Sequence, residues 1–130
     1  MKKTLAIGLA ATMLFALTAS GPASAHVRTA STSLSIAVSD STPDRGDKVQ
    51  FSGQLKSKWK RCKAAQRVVL FRGQKPVQSK KTSRAGLYSF TQRIRSNSNW
   101  TVKYKGRRFG VHPHVHRCRR STSKTIQIRF

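Results

Sequence analysis

The chain has 130 residues, with 27 lysines and arginines against 3 acidic residues, for a formal net charge of +24. It holds no glutamate, and its aspartates, Asp40, Asp44 and Asp47, fall in one short stretch. Glycoside hydrolysis by two flanking carboxylates and carboxylate-held magnesium are therefore excluded everywhere outside that stretch.

Residues 1–25 read as a signal peptide. Lys2 and Lys3 form a positive start, Leu5 to Leu17 is an apolar run too short to span a bilayer stably, and Gly21-Pro22 breaks the helix. Ala23-Ser24-Ala25 then offers the small residues a signal peptidase needs, with cleavage before His26. No Cys follows the run to carry a lipid anchor, and no second apolar stretch reaches about 18 residues. The expected product is exported and soluble, has no transmembrane segment in its mature part, and carries residues 26–30 as a short N-terminal tail.

From residue 31 onward the chain alternates apolar and polar residues with period two, the signature of half-buried strands. Leu34, Ile36 and Val38 predict a first strand, and Val49, Phe51 and Leu55 a second. The denser run Val68-Val69-Leu70-Phe71 fits a central strand, and a weaker one surrounds Val77. Tyr88 with Phe90, then Trp100, Val102 and Tyr104, and finally Ile126, Ile128 and Phe130 complete the set. Turn signals at 42–46, 72–73, 84–86 and 96–99 separate them. Seven short strands in one domain over residues 31–130 predict an all-β fold: a seven-stranded antiparallel Ig-like (Greek-key) sandwich.

Cys62 and Cys118 are the only cysteines. In an oxidising compartment two cysteines of a small domain usually pair. Closing that loop contributes about 4 kcal/mol in the chain-entropy picture. Two cysteines alone do not make a four-ligand zinc site, and a catalytic thiol would have to escape oxidation.

Three segments carry a family resemblance: Pro43 with Gly46-Asp47-Lys48-Val49-Gln50-Phe51-Ser52-Gly53, then Arg67-Val68-Val69-Leu70, then Thr82 with Gly86-Leu87-Tyr88-Ser89-Phe90. Their order resembles bacterial secreted Ig-like domains of the transthyretin or carboxypeptidase-regulatory type. A cysteine before the third strand paired with one before the last is also similar to that group, and matches Cys62 and Cys118. The resemblance implies a fold and an extracellular address. It implies no activity, because function on such sandwiches lives in grafted sites.

The strongest functional signal is basic clustering around both cysteines. Lys56, Lys58, Lys60, Arg61 and Lys63 surround Cys62, Arg117, Arg119 and Arg120 surround Cys118, and Lys105, Arg107 and Arg108 lie just upstream. A disulfide would clamp these like charges together at one end of the sandwich, at a cost in stability that points to a polyanionic partner. Trp59 and Phe109 interleave the cations and are placed to stack on bases or sugar rings. The expected partners are anionic polymers or surfaces: cell-wall polymers, acidic glycans, anionic membranes or extracellular DNA, the last bound without sequence specificity. No obligate protein partner is implied, and location at the cell wall is compatible.

A competing reading is metal capture. His112, His114 and His116 alternate along one segment, so extended backbone would put three imidazoles on one face for zinc or copper. His26, at the expected mature N-terminus, would add an amine and a ring. Against this stand the cationic surroundings, the lack of a nearby carboxylate, and Pro113, which predicts an irregular loop. The tripeptide Arg45-Gly46-Asp47 is explained by the turn that opens the second strand. No nucleophile elbow and no Gly-rich phosphate loop is present. A non-enzymatic protein without a cofactor is expected.

Overall fold

The computed structural model describes residues 26–130. The expected signal peptide and its cleavage site lie outside the described residues. In chain order the elements are β1 (His26–Ala30), β2 (Thr32–Leu34), β3 (Ala37–Val38), β4 (Lys48–Ser57), a single 3-10 turn (Lys60–Cys62), β5 (Arg67–Arg72), β6 (Lys75–Lys81) and β7 (Leu87–Arg93). β8 (Ser98–Tyr104), β9 (Arg107–Val111), β10 (His114–Cys118), β11 (Ser121–Thr122) and β12 (Ile126–Ile128) follow.

Two antiparallel sheets face each other. In the first, β4 is the centre, with β7 along one edge and β2 and β3 as successive segments of the other. In the second the order is β6, β5, β8, with β11 and β12 sharing the far edge of β8. The pairing of β4 with β7 and of β5 with β8 skips sequence neighbours, the Greek-key crossing of a sandwich. All seven expected strand positions lie within these two sheets, with β2–β3 and β11–β12 each forming one interrupted edge strand. The dense run from Val68 is the central strand, between β6 and β8.

Period-two alternation gives each sheet one dry face. Val49, Phe51 and Leu55 of β4 and Phe90 of β7 meet Val68 and Leu70 of β5 and Trp100 and Val102 of β8, all at most 2% exposed. Burying each such side chain is worth about 1.5–3 kcal/mol. The Phe51 and Trp100 rings lie 4.9 Å apart between centroids, tying the sheets at mid-core. Gly53 takes the inward position between Phe51 and Leu55, where Tyr88 donates its hydroxyl hydrogen to the Ser35 carbonyl. A Cβ on Gly53 would collide with both groups, so a larger residue would break that contact.

A third sheet lies outside the expected seven strands. β10 is its centre, antiparallel to β9 and parallel to β1. The stretch expected as an N-terminal tail is thus strand β1, and the expected irregular loop around Pro113 is a hairpin with Pro113 confined to its turn. The alternation here is masked because cations occupy both faces, which is why period-two reading misses it. The β1–β10 pair is parallel and stands outside the antiparallel sandwich that the sequence predicts.

Cys62 and Cys118 form the expected disulfide, with Cα atoms 5.4 Å apart and both residues buried. It joins the 3-10 turn that follows β4 to the end of β10, fastening the third sheet to one end of the sandwich. Among the described residues no helix is long and apolar enough to cross a membrane.

Candidate functional site

The disulfide end gathers the connections β4–β5, β8–β9 and β10–β11. All three aspartates lie at the opposite end, where they serve turns: Asp40 Oδ1 accepts the Thr42 N–H at 2.9 Å and Asp47 Oδ2 accepts the Asp44 N–H at 3.1 Å. The second bond belongs to the Arg45-Gly46-Asp47 turn, as expected of its position. The disulfide end is thus left without a carboxylate side chain to offset its cations.

Three contiguous clefts run around β9 and β10. The largest, ≈ 750 Å³, is bounded by Lys105, Arg107, Arg108, Arg117, Arg119 and Arg120, together with Thr29, Gly106 and Cys118. A second of ≈ 480 Å³ joins it through Arg107 and continues past Phe109 to Lys60 and Arg61. A third of ≈ 400 Å³ shares Lys60, Arg61 and Phe109 and ends at Lys58, Trp59, His116 and Arg28. Of the cations singled out in the sequence, only Lys56 and Lys63 lie outside these clefts.

The strand register explains the two-sidedness. His116 of β10 is opposite Phe109 of β9 and Arg28 of β1, so these three share one face. On it the side chains form a ladder. The Phe109 and His116 rings stack at 5.1 Å, and Trp59 meets His116 edge-on at 5.4 Å. Arg61 caps Phe109 at 5.3 Å and Lys58 caps Trp59 at 5.6 Å. Cation–π contacts of this kind are worth about 0.5–1 kcal/mol each where exposed, and they restrict the cations that make them. The rings therefore orient Arg61 and Lys58 as well as flooring the groove.

Behind the groove a buried polar network fixes the segment after Cys62. Tyr104 donates to Gln66 Oε1 at 2.8 Å, and the Gln66 backbone N–H donates to Thr82 Oγ1 at 2.9 Å. Thr82 in turn donates to the Lys63 carbonyl at 2.5 Å, while the Gln66 amide donates to Ala64 O at 2.9 Å. Burial pushes the Tyr104 hydroxyl above the usual phenol range, and the nearby Arg107 guanidinium pulls it partly back. At the β8–β9 turn, Gly106 has φ +84°, and a Cβ there would lie 2.5 Å from the Cys118 carbonyl oxygen. Only glycine lets the turn approach the disulfide this closely.

His112, His114 and His116 do not form the single face that their spacing predicts. His112 lies in the hairpin turn, outside the strands, so it does not share the alternation of His114 and His116. His114 is exposed, and His116 is packed between Phe109 and Trp59. Backbone register sets His26 opposite His114. Among the described residues, no group of three or more His, Cys, Asp or Glu side chains is arranged to hold a metal ion.

Two cleft residues were invisible to sequence reasoning: Arg28, beside His116, and Thr29, beside Arg117. Both sit on β1, whose parallel pairing with β10 has no local signal.

Fold and disulfide together define an all-β, disulfide-stapled sandwich domain. No family model matches the chain, and no curated protein matches it either. Among solved structures it is similar to the sulfur carrier protein SoxY from Chlorobium limicola f thiosulfatophilum. The identity is 14%, over 76% of this chain and 79% of that one, with a TM-score of 0.43. A likeness at that level says nothing of chemistry.

Proposed function

We propose that this protein is an exported, non-enzymatic Ig-like module of the transthyretin or carboxypeptidase-regulatory type that binds polyanions through its disulfide end. One observation carries the reading: three contiguous clefts at that end are lined by cations drawn from separate segments, with every carboxylate side chain of the described residues at the opposite end. Concentrated like charge destabilises a compact state unless a partner neutralises it. The ligand class is an anionic polymer or surface outside the cell, such as a wall polymer, an acidic glycan, an anionic membrane or DNA, and binding is driven largely by counterion release. For the alternative, metal capture by His26, His112, His114 and His116, no ligand group is found among the described residues.

The test compares two variants of equal net charge. One reverses Lys58, Lys60, Arg61, Arg119 and Arg120; the other reverses the exposed cations Lys75, Lys80, Lys81, Arg84 and Arg93. The first is expected to weaken binding to duplex DNA by about 100-fold or more at moderate salt, and the second far less. Equal losses would mean that only net charge matters and no site exists.

A further inference from the structure

On the outer face of the third sheet, the register sets Arg108 of β9 directly opposite Arg117 of β10, and Thr29 of β1 on the other side of Arg117. Like charges directly opposite in a ladder destabilise it. The same two arginines line the ≈ 750 Å³ cleft, together with Thr29. A strand pair that needed only to be cationic would stagger its charges along the strands. This one sets two arginines directly opposite each other, both lining the same cleft.

We propose that the cleft between Arg108, Arg117 and Thr29 is a site for a tetrahedral oxyanion, the phosphate or sulfate ester group of an anionic polymer, in preference to a carboxylate. The inference rests on the polyanion reading above and names the chemistry of its ligand. A guanidinium presents N–H donors in a rigid planar fork, and one fork satisfies both oxygens of a planar carboxylate. Two forks on neighbouring strands lining one cleft are met together by an acceptor with oxygens in more than one plane, which a phosphate or sulfate group provides. The Thr29 hydroxyl is a further donor on the same row. The aromatic ladder occupies the other face of the sheet, so the oxyanion cleft is distinct from the groove floored by Trp59, His116 and Phe109. Arg107, common to the first two clefts, links them around the edge.

The test uses the oxidised protein at about 0.15 M salt with inorganic polyphosphate, dextran sulfate and poly-glutamate of matched length as probes. Wild type is expected to prefer at least one of the first two over poly-glutamate by about 10-fold, and the two arms tell phosphate from sulfate. The double variant Arg108→Lys with Arg117→Lys keeps the charge and removes both forks. It should abolish the preference, with a clearly smaller loss on poly-glutamate than on the preferred polymer. Thr29→Val, which keeps the shape, should lower the preferred affinity by a few-fold, about 3-fold for one lost hydrogen bond. Absence of any preference in wild type, or equal loss on all three polymers in the lysine variant, overturns the proposal. Failure of all three polymers to bind even at low salt would instead remove the polyanion reading itself.

Discussion

The sandwich body and the three-stranded sheet of β1, β9 and β10 are built on opposite terms. In the body, alternate residues are apolar and meet in a dry core around Phe51 and Trp100. In the small sheet both faces carry cations, Arg108 stands opposite Arg117, and the buried contributions are little more than Ala30 and Cys118. One region supplies folding energy, and the other spends its side chains on charge. What makes the second possible is its attachment to the first: the Cys62–Cys118 bond, the Arg119 N–H to Ala30 O hydrogen bond at 3.0 Å, and the Thr32 hydroxyl donating to Arg119 O at 2.7 Å. A sheet that cannot fold on its own core is held in a high-charge arrangement by a body that can.

Removing the staple should break this division most severely. Replacing both cysteines by serine should cost about 4 kcal/mol in denaturant melts. Hydrogen exchange should rise first in β1, β9 and β10, with β4, β5 and β8 protected until global unfolding. Uniform loosening would mean that the two regions form one cooperative unit.

A smaller effect should come from the buried network. Tyr104→Phe leaves Gln66 Oε1 without its donor in a buried place, at about 1–3 kcal/mol. Polyanion affinity should also fall although no cation is lost, because the segment carrying Lys60 and Arg61 loses its support. Unchanged binding in a folded variant would show that the groove does not depend on that network.

Smaller again, and opposite in sign, is relief of the like-charge pair. Arg117→Thr should raise thermal stability by about 0.2–1 kcal/mol at low salt, with the gain shrinking as salt screens the repulsion. The same change should weaken polyanion binding. A variant that binds less and is also less stable would deny that the charge is strained.

The smallest effect within ordinary working conditions concerns the body alone. Burial pushes the Tyr88 hydroxyl above the usual phenol value, and the hydroxyl donates to Ser35 O. Its unfolded value lies near about 10. The neutral phenol's contribution is therefore complete below that pH and lost as pH rises through the higher folded value. Stability should be flat in this respect through neutral pH and decline above about pH 10, with Tyr88→Phe flattening the decline. Loss of stability already at neutral pH would place the cause in another group.

The body was legible because its physics is local: Val49, Phe51 and Leu55, or Trp100, Val102 and Tyr104, announce a buried face by period alone. The disulfide was legible from the cysteine count together with the export that the sequence leads one to expect. The small sheet was not, since Arg107, Arg108 and Arg117 hide the alternation of β9 and β10 and Pro113 reads as a breaker when it is only the turn. β1 was missed because its partner strand is remote in sequence, and Arg28 and Thr29 were missed with it. Among the named cations, proximity to a cysteine identified those lining the clefts but also drew in Lys56 and Lys63, which lie elsewhere. The histidine alternation was real for His114 and His116, yet packing took His116 into the aromatic ladder.

The most direct test of the central claim is amide chemical-shift mapping of the oxidised protein titrated with a short polyphosphate at about 0.15 M salt. The expected perturbations are confined to residues 28–29, 58–66 and 105–120, saturating together. Perturbations of equal size along β6 and β7, where Lys75, Lys80, Lys81 and Arg93 are equally exposed, would contradict a built site and leave only diffuse attraction to a cationic surface.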